Sequence, residues 1–443
     1  MARILFVQNY NDELLGIKNI ASYIKMKHQA SVVFGSCKDI IKKYYLFKPN
    51  VVGISVLTKD HNWALNIAGQ IKSVDKDSMI LLGGSHPTFY PDIINDNNID
   101  AICIGEGEKP VLNLLNNIDS NESLTSIKSL WLKKDNKVYK NELEVVLGVN
   151  KIPIADFSIY NDLVNAYKPR RLMVMCSRGC LFECAFCCEY QLKKMYGAAY
   201  FGFRKQEDVI KEIELALKDR NLKSISFQDE NFVADKGWLQ EFLKQYKRRI
   251  ALPFYCLTRC EYVTEEVAEQ LKEAGCFRVG IGVESGDEYL RNKVLNKRLS
   301  ETAIKRAVDI LRNKKIKFHT FNMFGLPEED FEKAFKTVTL NMRLKPDAAW
   351  SSIFQPYPGT KFFNNRTKDS ILDSNFNRFK INYSYTKDSV RIERLQKLFM
   401  LTVKLPLMRY FLPILTKLPL DSIYDRISEL CWLYLYKRKL QGA

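Results

Sequence analysis

Short apolar runs alternate with amphipathic segments along most of this chain, and the alternation restricts it to an α/β fold. In the front part, segments with helical periodicity, such as 14–27 and 62–74, separate the apolar runs. Parallel strands need a crossover between them, so residues 1–120 are predicted to form a doubly wound, Rossmann-like parallel sheet. The five strand candidates are 4–8, 31–36, 51–57, 79–84 and 101–106.

A second alternation follows a connecting region. Residues 121–168 are predicted to be a hairpin and linker, because two apolar runs flank Asp135 and Asn136. Six further strand–helix units then predict a partial (β/α)6 TIM-type barrel over 169–375. Residues 376–443 are predicted to form a helical, aromatic and basic tail. The barrel strand candidates are 171–176, 224–230, 254–259, 277–284, 317–327 and 349–358.

Composition excludes several classes of protein. Of the 443 residues, 46% are hydrophobic and 27% charged, which is unlike a disordered or fibrous chain. The net charge is +17, of which residues 361–443 contribute +9. The chain shows neither a signal-peptide pattern nor about 18 consecutive apolar residues, so a cytoplasmic location is expected. The 11 cysteines are then expected to be reduced thiols or metal ligands.

Three of these cysteines, Cys180, Cys184 and Cys187, form a C-x3-C-x2-C loop directly after the first barrel strand. Three thiolates can hold an iron–sulfur cluster and leave one iron open to a substrate. Two alternatives stay open, namely a structural zinc site with Cys176 as fourth ligand and thiols without a metal. Cys188 is interpreted as a packed thiol.

The cysteine loop, with Phe186 before its last cysteine and a six-unit barrel behind it, resembles the radical S-adenosylmethionine (SAM) superfamily. In that family three cysteines hold a 4Fe-4S cluster, and the amino and carboxylate groups of SAM chelate the unique iron. One electron cleaves SAM to methionine and a 5′-deoxyadenosyl radical, which abstracts hydrogen from an unactivated carbon. The resemblance covers about residues 170–360 and names no catalytic residue beyond the cofactor ligands.

Polar residues at the strand ends match the SAM site of that family. A carboxylate at the end of a strand in an apolar barrel has a physical reason to face a cationic ligand. The structural alternatives are a helix cap, a tight strand–helix turn and, for Arg259, a surface ion pair. Cys256, Cys260 and Cys276 have poor geometry for a second cluster. The residues assigned to SAM by resemblance are Phe186, Gln228, Asp229, Glu230, Arg259, Glu284 and Ser285.

The front domain resembles the cobalamin-binding fold. A Ser-x-Leu after the third strand and a Gly-Gly after the fourth match two of its three signatures, which surround the buried nucleotide tail of the corrin. The third signature, with its cobalt-ligating histidine, is absent, so the lower cobalt face is expected to be empty, aquated or capped by another side chain. A scaffold without cobalamin is the alternative, and His86 is either a tail contact or a capped loop histidine. The residues assigned to cobalamin are Asn9, Tyr10, Asn11, Ser55, Leu57, Gly83, Gly84 and His86.

Both resemblances together match the cobalamin-binding radical SAM enzymes, a group that includes hopanoid methylases and anaerobic Mg-protoporphyrin IX monomethyl ester cyclases. The implied function is cobalamin-dependent methylation of an unactivated carbon on an apolar small molecule. Oxidative cyclisation or other carbon-skeleton radical chemistry is the alternative. A non-enzymatic cobalamin or iron–sulfur protein is a second alternative, although electron carriers normally close their cluster with a fourth cysteine. An external electron donor, such as a flavodoxin or ferredoxin, is expected.

The tail mixes apolar and basic residues. Lys404, Arg409 and Lys417 interrupt its apolar segments, a pattern that suits peripheral contact with a membrane surface. A helical lid over the barrel mouth is the alternative. Nucleic acid is not an expected partner, because the charge is not gathered in a recognisable reading motif.

Overall fold

The computed structural model describes residues 1–155, 157–161, 170–373, 376–381, 386 and 388–433. The chain divides into two compact units. The front unit comprises Met1–Met173, Gln191–Asn221 and Tyr357–Gly359, and the barrel unit comprises Val174–Tyr190, Leu222–Pro356 and Thr360–Ala443.

The front unit contains the predicted parallel sheet, with β2-β1-β3-β4-β5 in spatial order. Strands β1, β3, β4 and β5 are almost wholly buried, which explains their nearly continuous apolar sequences, whereas the edge strand β2 is mostly partly exposed. The strands are β1 (Arg3–Val7), β2 (Gln29–Val33), β3 (Val51–Ser55), β4 (Met79–Gly83) and β5 (Ala101–Cys103). The helices between and after them are α1 (Leu15–Ile24), α2 (Cys37–Phe47), α3 (His61–Val74), α4 (Ser85–Phe89) and α5 (Glu108–Asp119).

The hairpin predicted as part of a linker extends this same sheet. Strands β6 (Leu130–Lys134) and β7 (Lys137–Lys140) add to the β5 edge in antiparallel orientation. Asp135 and Asn136 both have positive φ, which suits a two-residue hairpin turn. Of the predicted linker, residues 156 and 162–168 lie outside the described part of the chain.

A segment that the sequence assigned to the barrel lies in the front unit. It contains α7 (Gln206–Asp219), whose Glu212 carboxylate accepts hydrogen bonds from the Ala155 backbone and the Arg204 guanidinium. Arg220, just after the helix, forms a buried ion pair with Glu13. These contacts tie the segment to residues near the chain start, although it follows the first barrel strand in sequence.

The barrel sheet contains the strands β8 (Arg171–Val174), β11 (Ser224–Phe227), β12 (Phe254–Thr258), β13 (Cys276–Glu284), β14 (Lys317–Phe324) and β15 (Ala348–Ile353). Their spatial order is the same as their order along the chain, and each neighbouring pair from β11–β12 to β14–β15 is parallel. The helices after them are α8 (Lys236–Arg249), α9 (Glu265–Glu273), α10 (Glu301–Asn313) and α11 (Phe331–Leu344). Short elements elsewhere are β9 (Ser177–Arg178), α6 (Glu189–Tyr196) and β10 (Gly202–Phe203).

Helix α12 (Asn365–Leu372) lies within the range predicted for the barrel. The described part of the predicted tail is helical, as α13 (Ser389–Lys404), α14 (Leu412–Leu415) and α15 (Asp421–Cys431). Helix α13 belongs to the core, because Leu395 and Phe399 pack with Phe324 and Val338 of the barrel unit. In the described part of the chain, no helix is both long and apolar enough to cross a membrane. Residues 434–443 of the predicted tail lie outside the described residues.

Candidate functional site

The cysteine loop begins after β8 and brings its three predicted ligands together. Cys180 is near enough to Cys184 and Cys187 for each of them to affect its pKa. Burial is the main effect and raises the pKa of the Cys180 thiol to about 11. Metal binding would therefore have to displace protons from these thiols.

The proposed fourth ligand of a zinc site lies elsewhere. Cys176 is buried near Cys256. Burial raises the pKa of the Cys256 thiol, and the neighbouring Cys276 and, to a smaller degree, Cys176 raise it further. Within the described ranges, no three His, Cys, Asp or Glu side chains are arranged to hold a single metal ion. A 4Fe-4S cluster bonds its cysteines to different irons, so its ligands lie further apart than those of one ion. Cys188, interpreted from the sequence as a packed thiol, has its thiol hydrogen-bonded to that of Cys187 and so lies beside the predicted ligands. The position of Cys176 near Cys256 argues against a zinc site with Cys176 as fourth ligand.

A buried carboxylate fixes the start of this loop. Asp229 Oδ1 accepts hydrogen bonds from the backbone N–H of Cys176 at 3.0 Å and of Ser177 at 2.6 Å, and also from the Ser177 hydroxyl. Asp229 is fully buried, and its burial raises its pKa. The residue therefore holds the strand end from which the cysteines follow, and its predicted contact with SAM stays a prediction.

Arg259 fixes the middle of the loop. Its Nη1 donates to Cys184 Sγ at 3.6 Å, and its Nη2 donates to the Lys297 carbonyl at 2.6 Å. The guanidinium also stacks on Phe182, 3.7 Å from the ring centroid, and pairs with Glu261. The predicted contact of Arg259 with the SAM carboxylate stays a prediction, and the structure shows this cation beside the thiol of Cys184.

A second buried cation, Lys297, was missed by the sequence analysis. Its Nζ lies 2.6 Å from Glu284 Oε1, and both side chains are buried. The same ammonium lies 5.8 Å from the Phe186 ring centroid. Lys297 follows a short helical turn in a polar loop, where the sequence gives no sign of a buried ion pair. The predicted SAM contacts of Glu284 and Phe186 stay predictions beside this pair.

The other predicted SAM residues differ in how far their polar atoms are engaged. Glu230 Oε2 is buried without a hydrogen-bond partner among the described residues, and burial, with Glu189 nearby, raises the Glu230 pKa to about 8. Gln228 donates to Ser226 Oγ at 2.7 Å. Ser285 is fully buried, and its hydroxyl accepts from the Asp287 backbone. A cationic ligand such as the SAM amine would satisfy the buried Glu230 oxygen and stabilise the ionised form of its carboxyl group.

In the front unit, the predicted cobalamin residues of β3 and β4 meet at the carboxyl end of the sheet. The Val56 N–H donates to the Gly83 carbonyl at 2.8 Å. Gly84 has φ +94°, and a Cβ there would lie 2.9 Å from the Val56 carbonyl oxygen and 3.3 Å from Ser55 Oγ. Leu57 exposes 45% of its surface beside them. This cradle needs glycine and presents a hydroxyl and an apolar side chain, which fits the narrow channel expected for a corrin tail.

His86 lies at the start of α4, behind the cradle. Its Nδ1 is 3.2 Å from Thr58 Oγ1, and its ring stacks on His61 with centroids 5.2 Å apart. Burial and then His61 lower its pKa to about 3, so it is neutral, and its Nε2 is buried without a hydrogen-bond partner among the described residues. This packing agrees with the interpretation of His86 as a capped loop histidine, and its contact with the nucleotide tail of cobalamin stays a prediction.

The loop after β1 is fixed by residues that the sequence analysis missed. The Asp60 carboxylate accepts from Asn9 Nδ2 at 3.3 Å and from the Tyr10 hydroxyl. Lys59 pairs with Asp60 at 2.9 Å and lies over the Tyr10 ring. Asn11 is exposed. The loop expected nearest the cobalt is thus tied to the loop after β3.

Comparisons with known proteins agree with both sites. The model of the radical SAM superfamily matches residues 174–340, and the model of the B12 binding domain matches residues 13–115. An uncharacterized methyltransferase of Pyrococcus horikoshii is 28% identical over 379 residues, covering 81% of this chain and 79% of that protein. The anaerobic magnesium-protoporphyrin IX monomethyl ester cyclase of Rubrivivax gelatinosus is 25% identical over 390 residues, covering 82% of this chain and 69% of the cyclase.

A solved structure has the same fold. The radical S-adenosylmethionine methyltransferase TsrM from Kitasatospora setae, with cobalamin and a 4Fe-4S cluster bound, superposes with a TM-score of 0.66. Its sequence is 18% identical, and the match covers 82% of this chain and 77% of that chain.

The fold and the open cysteine loop define a radical SAM enzyme. A radical SAM domain occupies residues 174–340, and a B12-binding domain precedes it at residues 13–115. Its cofactors are a 4Fe-4S cluster, S-adenosylmethionine and cobalamin, as the sequence predicted.

Proposed function

We propose that this enzyme methylates an unactivated carbon of an apolar small molecule, with cobalamin as methyl carrier. The observation that carries the proposal is the presence, in one chain, of the grouped thiols of Cys180, Cys184 and Cys187 and of the glycine cradle around Gly84. Relatives and fold neighbours named as methyltransferases support it.

The lining of the barrel favours an apolar substrate. In β15 and in the second half of β14, partly exposed side chains alternate with buried ones, as expected where one face of a strand lines an interior space. Three of these four partly exposed side chains are apolar, namely Phe321, Met323 and Trp350, and the fourth is Ser352. Such a lining would exclude water from a reactive radical and bind a substrate by apolar contact.

The chain's own polar residues would prepare the reaction. When bound, the cluster and SAM supply the radical, and cobalamin supplies the methyl group. Cys180, Cys184 and Cys187 would hold the cluster, while Asp229 and Arg259 keep their loop in place through the bonds described above. In the front unit, Ser55 and Gly84 would receive the corrin tail.

The test is anaerobic reconstitution with iron, sulfide and cobalamin, followed by metal analysis and chromatography of a reduced mixture with SAM. We expect about four irons and one cobalt per chain. Methylation predicts both 5′-deoxyadenosine and S-adenosylhomocysteine as products. The Cys184→Ala variant should lose cluster and SAM cleavage but keep cobalamin, and 5′-deoxyadenosine from this variant would contradict the assignment. Iron without cobalt in the wild type would refute the methylation proposal.

Ring closure is the second candidate, because the Rubrivivax relative is named a cyclase. Cyclisation consumes no methyl group, so it predicts 5′-deoxyadenosine without S-adenosylhomocysteine in the presence of substrate. The ratio of these two products therefore separates the two reactions.

The proposal includes two partners. An external donor of the flavodoxin or ferredoxin type would supply the electron, and the net charge of +17 would attract such acidic proteins. An apolar substrate partitions into lipid, so we also place the enzyme peripherally at a membrane.

A further inference from the structure

An apolar surface remains exposed between α13 and α15. We call residues 404–423 the C-terminal strip. Most large apolar side chains elsewhere are buried, whereas several in the strip expose more than half of their surface. These are Leu405 at 54%, Leu407 at 75%, Tyr410 at 65%, Phe411 at 57%, Ile414 at 65% and Ile423 at 53%. Exposed apolar patches on this scale mark interaction sites.

The strip is built into the fold. Leu412 is fully buried in the cluster formed by α11, α13 and β15, and Tyr424 packs in the same cluster. The Tyr424 hydroxyl donates to the Leu415 carbonyl at 2.7 Å, and Arg394 donates to the Thr416 carbonyl at 3.2 Å. The backbone is therefore held from the inside while its remaining apolar side chains point outward.

The charge of the strip selects the partner. The strip contains Lys404, Arg409 and Lys417 and one acidic residue, Asp421, whose carboxylate pairs with Arg394 of α13. Lys417 is exposed, and the Arg409 guanidinium lies 4.7 Å from the Tyr410 ring centroid. Two copies meeting through this strip would bring these cations together, and the one carboxylate of the strip is already paired with Arg394. An anionic lipid surface provides both the apolar phase and the opposite charge.

We infer that the C-terminal strip docks the enzyme onto an anionic membrane surface, with Leu407, Phe411 and Ile414 entering the lipid and Arg409 and Lys417 contacting headgroups. This inference rests on the peripheral location proposed above and identifies the surface and the lipid charge. Binding is independent of catalysis, so it can succeed or fail separately from methylation.

The test is flotation of the reconstituted enzyme with vesicles of phosphatidylglycerol and phosphatidylcholine, compared with vesicles of phosphatidylcholine alone. We expect binding to the anionic vesicles that weakens with salt. The Leu407→Ser/Phe411→Ser variant should bind roughly a hundredfold more weakly. The Arg409→Gln/Lys417→Gln variant should bind about thirtyfold more weakly, because each basic side chain near the surface contributes to binding. Leu46→Ser is the matched control, since Leu46 is 73% exposed on α2 of the front unit, and it should bind like the wild type.

Equal flotation of the wild type and both strip variants would overturn the inference. Failure of the wild type to float would also overturn it. If light scattering then showed a dimer in the wild type that is lost in the Leu407→Ser/Phe411→Ser variant, the strip would be assigned to contact with a second copy of the chain. SAM cleavage without substrate should be the same in all variants. A wild type that floats but transfers no methyl group would refute the proposed reaction and leave the docking surface standing.

Discussion

Replacing Asp229 tests whether this carboxylate anchors the cluster loop or binds SAM. In Asp229→Ala, the backbone N–H groups of Cys176 and Ser177 lose their acceptor inside the barrel unit. Each unsatisfied buried N–H costs about 1–3 kcal/mol, so the variant should lose roughly 2–6 kcal/mol of unfolding free energy. That is a large fraction of the roughly 5–15 kcal/mol that stabilises a typical domain.

Asp229→Asn is the matched control. Oδ1 of Asp229 accepts from both N–H groups, so an amide oxygen at that place can keep both of these bonds while the charge is removed. The longer bond from the Cys176 N–H to Oδ2, at 3.2 Å, is lost. An anchoring role predicts that Asp229→Asn retains most of the stability and the iron content, and that Asp229→Ala loses both. A SAM-binding role predicts instead that Asp229→Asn binds SAM more weakly while its stability is unchanged.

Three quantities are measured. Tryptophan fluorescence monitors the unfolding of the barrel unit in urea, metal analysis gives the iron content after reconstitution, and equilibrium dialysis gives the SAM affinity. A loss below about 1 kcal/mol in Asp229→Ala, with full iron content, would refute the anchoring argument.

Three other substitutions test the remaining parts of the structure. Ser55→Trp should fill the cradle beside Gly84 and block cobalamin uptake while iron content is unchanged, and wild-type cobalt content in this variant would contradict the front-unit assignment. Burial raises the Glu329 pKa from 4.5 to about 8, so the folded protein binds more protons than the unfolded one between these values. The wild-type unfolding free energy should therefore fall as the pH rises from 4.5 to 8, and Glu329→Gln, which keeps an acceptor for the Gly325 N–H, should show a flatter profile in urea titrations. Lys297→Met leaves Glu284 buried and unpaired and should cost about 3–5 kcal/mol, whereas the double variant Lys297→Met/Glu284→Leu should recover much of it in thermal unfolding. A double variant as unstable as Lys297→Met would show that the Lys297–Glu284 pair has a role beyond neutralising a buried charge.

The sequence predicted what depends on local pattern. The strands of both sheets begin and end within a few residues of the apolar runs, because continuous apolar segments bounded by turn residues have few other solutions. The cysteine loop was recognisable for the same reason, since its ligands lie within eight residues of one another.

The features that were missed depend on contacts between distant residues. Asp229 reaches backbone groups more than 50 residues earlier, and Arg220 pairs with Glu13, 207 residues away. Lys297 carries no pattern that marks it as buried. The β6–β7 hairpin was recognised from its turn, but the edge that it joins is decided by β5, which a local pattern cannot show.

The anchoring of the cysteine loop has a consequence for how the enzyme matures. Asp229, Arg259 and the bond from the Ala185 N–H to the Leu295 carbonyl hold the loop with protein atoms alone. Small zinc domains, by contrast, fold only as they bind their metal. We therefore expect the loop to keep its place when the cluster is lost, so that iron and sulfide can be restored to the same chain without refolding it.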